Sequence, residues 1–452
     1  MTYALGIDLG TTFSTAAVAR ADAVELVELG SNRAAVPSVV VLREDGSFLT
    51  GDAAERRAAS APERVAREFK RRLGDTTPMI LGGAPTSAEM LTAQLLRDVV
   101  GEVVRREGGP PERVVLTHPA NWGEFRTELF RQAADMADVG SVDLLSEPEA
   151  AAIHYAAQER VADGSVIVVY DLGGGTFDAA VLQKTEGRFE LLGKPAGIEH
   201  LGGLDFDAAV FAHVLAETPE LRQLDPDDAT SAPAVRRLRM DCVEAKETLS
   251  SDTDVVIPVL LPTYQGEVQL TRRGFEDAIR PSITATIDSL RRALADANVE
   301  PHAVDRVLLI GGSSRIPVIA STVAGALGRP VSLDSHPKNA VALGAARVAA
   351  GVILSSPPDP PADPAPVPVA AEAPPVLPVE PPQPLHDDAV ATEDTEPVPA
   401  PAARPLLDPS TTTELPTLEV DRRPRGVRRS VALAALVIVL SGLIAAALIW
   451  LL

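Results

Sequence analysis

The feature that most constrains the fold of this chain is a short turn that occurs twice. In Gly6-Ile7-Asp8-Leu9-Gly10-Thr11-Thr12-Phe13-Ser14 an apolar run ends at Asp8, the chain turns at Gly10, and a second strand-like run follows from Ser14 to Ala19. Asp171-Leu172-Gly173-Gly174-Gly175-Thr176-Phe177-Asp178-Ala179-Ala180-Val181 aligns on Asp8 to Val18 without a gap, and it too follows an apolar run, Val166 to Tyr170. Glycine at such a turn lets backbone N–H groups close on an anion, because no Cβ stands in the way. The threonine hydroxyls add donors for phosphate oxygens, and each aspartate offers an oxygen to hydrated Mg²⁺. A single Asp-x-Gly turn is a common structural device. Two in the same frame predict a duplicated fold with two phosphate loops facing one another and a nucleotide between them.

The intervening chain reads as α/β. Ala4 to Arg20 and Val24 to Leu29 read as strands, and Val36 to Val41 as another with Pro37 at its entry. Glu63 to Leu73 is expected as a short polar helix carrying Lys70. Met90, Leu91, Leu95, Val99 and Val103 form one stripe of a helix from Ser87 to about Glu107, capped by Ser87 and ended by Gly108-Gly109-Pro110-Pro111. Strand Val114–Thr117, helix Glu124–Ala137, strand Val142–Leu145 and helix Ala150–Arg160 follow. The scheme repeats from Ser165, with an insertion over about 200–275 that holds a helix, Val235–Leu249, and a strand, Val255–Leu260. Helix Arg273–Ala297, interrupted near its start by Pro281, strand Val304–Ile310 and an alanine-rich helix Lys338–Leu354 close it. Such alternation predicts mixed sheets in two lobes, about 1–164 and 165–354.

Six stretches carry a resemblance: GIDLGTTFS, VVYDLGGGTFDAAVL, LLSEPEAAAIHY, HLGGLDFD, EAKETLSS and VLLIGGSSRIPVI. Over residues 4–351 the chain resembles the seventy-kilodalton heat-shock chaperones of the DnaK type, within the actin-like and sugar-kinase ATPase superfamily. The resemblance implies an actin-like ATPase fold binding ATP or ADP with Mg²⁺. Asp8 and Asp171 would hold the metal through its waters, and Gly10, Thr11, Thr12, Gly173, Gly174, Gly175 and Thr176 would surround the phosphates. Lys70, in Phe69-Lys70-Arg71, would reach the γ-phosphate and the attacking water. Glu147, in Ser-Glu-Pro, would be the second carboxylate there, and Asp171 and Thr176 complete the catalytic set. Gly202 and Gly203, Lys246 and Ser250, and Gly311, Gly312, Ser313 and Arg315 match the nucleoside side. Read without the resemblance, Lys70 is a solvated helix lysine, Glu147 a helix-start glutamate favoured by the dipole, and Asp178 a local cap or pair.

The chain also departs from the pattern. Val243 replaces a glutamate, Glu247 stands where some members carry an arginine, and Lys338 where an aspartate is usual. Pro119 and Arg126 resemble a pair that couples nucleotide state to an interdomain surface. The family's peptide-binding domain is expected after residue 354, yet the chain passes directly into prolines. No carboxylate in a sugar pocket is evident, which disfavours a sugar kinase.

Composition bounds the partners. Net charge is −22, against a phosphate-contacting nucleic-acid partner. A single cysteine, Cys242, excludes an internal disulfide, and the seven histidines have no metal-ligand spacing. Nineteen of the 39 prolines fall between Ser355 and Val420, so 355–429 is expected as a disordered, acidic spacer ending in Arg422, Arg423, Arg425, Arg428 and Arg429. A Pro-rich stretch is also a ligand for SH3-like modules. Val431 to Leu452 carries no charge, and as a helix it is about 33 Å long, enough to span a bilayer. The arginines would hold the ATPase domain on the cytoplasmic side. Ser441-x-x-x-Ala445 and Gly442-x-x-x-Ala446 would let two such helices pair weakly. The expected protein is a slowly hydrolysing ATPase tethered to the membrane, switching with nucleotide and read by a protein partner. The alternative is a non-enzymatic nucleotide-binding membrane scaffold or an actin-like assembling protein.

Overall fold

The computed structural model describes residues 2–21, 23–31, 33–224, 231–333 and 339–351. Lys338, the expected spacer 355–429 and the expected membrane helix 430–452 lie outside the described residues. Among the described residues no helix is long and apolar enough to cross a membrane.

The first half contains β1 (Ala4–Leu9), β2 (Phe13–Ala19), β3 (Val24–Leu26), β4 (Val36–Pro37), β5 (Val39–Leu42), β6 (Phe48–Thr50), α1 (Gly51–Ala58), β7 (Val65–Arg67), β8 (Met79–Leu81) and β9 (Ala84–Thr86). It continues with α2 (Ala88–Glu107), β10 (Arg113–His118), α3 (Glu124–Ala137), β11 (Val142–Ser146) and α4 (Glu147–Gln158). The second half contains β12 (Val166–Leu172), β13 (Phe177–Thr185), β14 (Arg188–Ile198), α5 (Gly203–Glu217), α6 (Ala232–Thr248), β15 (Asp254–Leu261) and β16 (Tyr264–Thr271). It ends with α7 (Arg272–Asp296), β17 (Arg306–Ile310), α8 (Pro317–Leu327), β18 (Val331–Leu333) and α9 (Ala340–Ala349).

The duplication is visible in the pairing. One sheet runs β11-β10-β1-β2-β3 and the other β18-β17-β12-β13-β14. In each, the strand ending in the aspartate pairs antiparallel with its successor (β1 with β2, β12 with β13) and parallel with a later strand (β1 with β10, β12 with β17). Both aspartates therefore lie at the C-terminal end of a strand central to its sheet. The result is a mixed α/β fold of several sheets, consistent with an actin-like ATPase fold.

Two helices exchange sheets and tie the halves together. Alanines of α4 pack with Ile167, Val169, Leu308 and Ile310 of the second sheet, while Ala342, Ala345, Ala346 and Ala349 of α9 pack with Ala4, Ala17 and Val115 of the first. The crossing needs small residues. A Cβ on Gly344 of α9 would collide with the backbone of Ala150 in α4, and one on Gly6 of β1 with the backbone of α9 at Ala346. Apolar burial at about 25 cal/mol per Å² drives both contacts, and absent side chains set their closeness.

Several local expectations change. Residues 63–73 are not a helix: a 3₁₀ turn at Pro62–Arg64 leads into β7 and a second turn, Phe69–Arg72, which carries Lys70. Pairing of β7 with β5 overrides helix propensity there. Val36–Val41 splits at Ser38, because β4 pairs with β2 whereas β5 pairs with β6 and β7. Pro281 lies inside a continuous α7. Met90 is largely exposed, although Leu91, Leu95, Val99 and Val103 are buried as expected. β14, α5 and β16 have no counterpart in the sequence reading. Ser87 does cap α2, accepting from the N–H of Met90, and Gly108 closes it in the left-handed region at φ 77°.

Candidate functional site: a cleft between two facing loops

The two duplicated loops meet. A Cβ on Gly174 would collide with the Thr12 hydroxyl, so the second loop approaches the first as closely as backbone allows. Each loop has its carbonyls turned away from the other and fastened from behind. Ser38 donates from Oγ to the Gly10 carbonyl at 2.7 Å and from its N–H to the Thr12 carbonyl at 2.8 Å. In the second loop the Gly173 carbonyl accepts from Ser313 Oγ at 2.8 Å and from the Gly203 N–H at 3.1 Å, and the Gly174 carbonyl from the Leu204 N–H at 2.7 Å. In a trans peptide the C=O and the following N–H point in opposite directions. The N–H groups of Thr11 and Gly174, both on the cleft wall, therefore face away from these anchors, an arrangement suited to phosphate oxygens.

Beside the loops lies a buried charge cluster. Lys70 Nζ donates to Glu147 Oε1 at 2.7 Å, with both side chains almost fully enclosed. Glu68 turns the chain inward with a left-handed φ of 55°, Phe69 is buried next to it, and Lys70 follows into the interior. Such a conformation costs of order 1 kcal/mol and is typical of functional sites. Glu147 opens α4 behind Ser146, whose Oγ accepts from the Glu149 N–H while Glu149 reaches back to the Ser146 N–H. The Trp122 ring stands 5.7 Å from Lys70 Nζ, stacked on His118 and edge-on to Phe130.

The aspartates are crowded. Asp171 and Asp178 are direct partners across the β12–β13 register, where like charges oppose each other unfavourably. Burial pushes the Asp8 carboxyl up to about 6, with Glu147 adding to the shift and Lys70 and the Thr117 hydroxyl at 3.1 Å opposing it. Burial also raises Asp171 and Asp178 well above the usual carboxylate range, helped by Glu147 and neighbouring aspartates. Burial pulls Lys70 down, yet Glu147, Asp8 and Asp171 outweigh it and hold the ammonium charged. A site with four carboxylates and one lysine is short of positive charge, which fits a cation. Among the described residues no three His, Cys, Asp or Glu side chains converge tightly enough to chelate a metal directly. Asp8 and Asp171 thus suit a metal held through its own waters.

The cleft around this cluster has a volume of about 770 Å³, in the range of sites for drug-sized ligands. Of the expected residues, Asp8, Gly10, Thr11, Thr12, Lys70, Glu147, Asp171, Gly173, Gly174, Thr176, Gly203, Lys246, Ser250, Gly311, Gly312 and Ser313 all line it. Gly175, Gly202 and Arg315 do not. Gly175 lies beneath the Arg71 guanidinium, and Gly202 packs on the backbone of residues 173–175. Arg315 is exposed, beyond the wall. Lys246 pairs with Asp207 at 2.7 Å and donates to the Gly203 carbonyl at 3.3 Å. The helix stripe Met240, Val243, Glu244 and Glu247 of α6 forms the wall beside it. From the sequence Asp178 is the weaker candidate, a local cap or pair, and Asn121, Trp122 and Ser38 carry no signal. Alignment of the two hairpins in register would have shown Asp178 opposite Asp171.

Residues 4–82 and 79–358 match the family model described as Hsp70 protein. The chain is 31% identical over 355 residues to the chaperone protein DnaK of Thermosipho melanesiensis, covering 77% of this chain and 59% of that one. It is 31% identical over 356 residues to DnaK of Thermotoga petrophila, with the same coverage of each. It is 35% identical over 365 residues to a chaperone protein HscA homolog of Burkholderia orbicola, covering 76% of this chain and 57% of that one. The chain thus spans about three fifths of the length of these curated relatives. A duplicated fold, two facing glycine loops and a match across nearly all of the described residues lead to one assignment: the chain belongs to the Hsp70 family, through the ATPase region of DnaK- and HscA-type chaperones.

Proposed function

We propose that residues 1–354 bind ATP with Mg²⁺, hydrolyse it slowly and close or open with nucleotide state. The observation that carries this reading is the contact of the Gly174 backbone with Thr12, with the buried Lys70–Glu147 pair and three half-buried aspartates beside it. Mg²⁺, when bound, supplies the positive charge that stabilises the phosphates and the developing negative charge. Asp8 and Asp171 would accept hydrogen bonds from its waters, and the N–H groups of Thr11 and Gly174 with the hydroxyls of Thr12 and Thr176 hold phosphate oxygens. Lys70 orients a water toward the γ-phosphorus and neutralises charge there, and Glu147 fixes the lysine in place. Both halves contribute to one ligand, so nucleotide favours the closed arrangement by its differential affinity.

Val431 to Leu452 anchors the protein in a membrane, with the arginines before it and the ATPase domain on the cytoplasmic side. Residues 355–420, rich in proline, serve as a tether. The output is read from the lobe surfaces by a protein partner. A second reading is nucleotide binding without turnover by a membrane scaffold; Val243 and Glu247 on the α6 wall depart from the family's pattern and bear on nucleotide affinity and base preference.

A single-turnover measurement of phosphate release by the full chain tests the proposal. Mg²⁺-dependent release, abolished in Asp171→Asn with the fold retained, is expected. Tight binding with no release in the wild type would leave the scaffold reading instead. Truncation after Val420 should free the protein from the membrane fraction with nucleotide binding intact.

A further inference from the structure

Asn121 lies between β10 and α3, in the first half of the fold, and its Nδ2 donates to Asp178 Oδ1 on β13 of the second half at 2.6 Å. Asp178 is paired across the sheet with Gly197 of β14. A Cβ built on Gly197 would stand 2.6 Å from both bonded atoms, Asn121 Nδ2 and Asp178 Oδ1. Gly197 is not in the left-handed region, so its backbone does not require glycine; the room for this bond does. Two residues on, Glu199 accepts from Arg126 of α3 at 2.8 Å, a solvent-screened pair that contributes little. One segment of the first half thus grips one strand edge of the second at two points, and only the Asn121 contact reaches the charge cluster.

We propose that Asn121 is a positioning residue, which fixes the Asp178 carboxylate at the reacting end of the cleft and makes that placement conditional on closure of the two halves. With Oδ1 held by the amide, Oδ2 is the oxygen left to face a water or a hydrated cation. Opening the cleft breaks the bond and releases the carboxylate. The catalytic part of this proposal rests on the ATPase reading above; the closure part does not.

Three variants of the full chain separate the possibilities. Asn121→Ala removes the donor, Gly197→Ala keeps both polar groups and fills their space, and Asn121→Asp with Asp178→Asn reverses donor and acceptor. Closure is read from acrylamide quenching of Trp122, next to Asn121, in a Trp450→Phe background. Asn121→Ala and Gly197→Ala should lower kcat about tenfold to a hundredfold, move KM by no more than about threefold, and raise quenching. The reversed pair should restore wild-type quenching but not turnover, because its carboxylate then sits on the other wall. Wild-type kcat and quenching in Asn121→Ala would overturn the proposal, as would a reversed pair with recovered turnover. If the wild type binds Mg·ATP without hydrolysing it, the ATPase reading fails and quenching alone decides. Unchanged quenching in both single variants then rejects the closure contact, and a rise reversed by the double variant upholds it.

Discussion

Ser38 and Ser313 hold the same atom in the two repeats. Ser38 Oγ donates to the Gly10 carbonyl at 2.7 Å and Ser313 Oγ to the Gly173 carbonyl at 2.8 Å, and the two glycines occupy one place in the duplicated turn. The serines come from unrelated parts of the chain, a strand junction in one half and a 3₁₀ turn in the other. Each fixes the peptide whose N–H faces the ligand. Ser38 does not line the cleft, so any effect of Ser38→Ala on ligand must pass through the groups its hydroxyl holds, the Gly10 peptide and the Ser14 hydroxyl at 2.9 Å. We expect Ser38→Ala to lose about 1 kcal/mol of stability. Mg·ADP affinity should fall about fivefold to tenfold, comparable to Ser313→Ala. Titration calorimetry on both variants checks this; unchanged affinity in Ser38→Ala would show that the loop holds its shape unaided.

Lys70 is the only buried cation near Asp8, Glu147, Asp171 and Asp178 among the described residues. Removing one partner of a buried pair leaves the other charge uncompensated and costs about 3–5 kcal/mol. Lys70→Ala should fall near the lower end, since the aspartates can take up protons instead. The loss in urea denaturation should be larger at pH 8 than at pH 5, where that uptake is easier. Turnover should fall by about 10²-fold or more. Equal stability of variant and parent at pH 8 would mean that water already reaches this cluster.

Some of this site was legible in the sequence and some was not, for physical reasons. The two Asp-Leu-Gly turns declare themselves because apolar strands, glycine and hydroxyls are local signals. Helix α3 ends where periodicity ends, at Ala137, and α2 carries its own serine and glycine caps. Lys70 is different. Its segment is rich in Glu and Arg and reads as a polar helix, but the pairing of β7 and the partner Glu147, 77 residues away, decide its fate. Asp178 reads from the sequence as a local cap or pair near the loop. Its role emerges only from a register that sets it opposite Asp171 and from Asn121 on another sheet.

Two glycines should respond in opposite ways to the same added methyl group. At Gly344 the new Cβ meets the Ala150 backbone, which cannot turn aside, and at Gly174 it meets the Thr12 side chain. Gly344→Ala should therefore destabilise by about 1–3 kcal/mol or more, through overpacking at the α4–α9 crossing. Gly174→Ala should leave the melting temperature nearly unchanged and weaken nucleotide binding, with partial recovery in Gly174→Ala combined with Thr12→Ala. Thermal melts with and without Mg·ADP separate the two. A stability loss in Gly174→Ala as large as in Gly344→Ala would mean that the loops support the fold as well as the ligand.

Asp8 should give the site a signature in pH. Its carboxyl is pushed up to about 6 by burial and by Glu147, from an unfolded value of about 3.9. A folded pKa above the unfolded one means that the native state binds this proton more tightly. The resulting stability is fully present below about pH 4 and is lost as pH rises through about 6. Asp8→Asn stays neutral throughout, so it should be more stable than the parent above pH 6, and the gap should close toward pH 4. Binding runs the other way, because a hydrated cation takes the anion and the proton must leave first. At pH 5, one unit below the Asp8 pKa, the parent's Mg·ADP affinity should be about tenfold weaker than at pH 8. Asp171, raised in the same direction by burial and by Glu147, steepens the fall. Denaturation of parent and variant at pH 4 to 8, with Mg·ADP titrations at pH 5 and 8, measures both trends. A stability gap that widens as pH drops, or an affinity indifferent to pH, would show that Asp8 is solvated and ionised throughout and does not sit in a pocket short of positive charge.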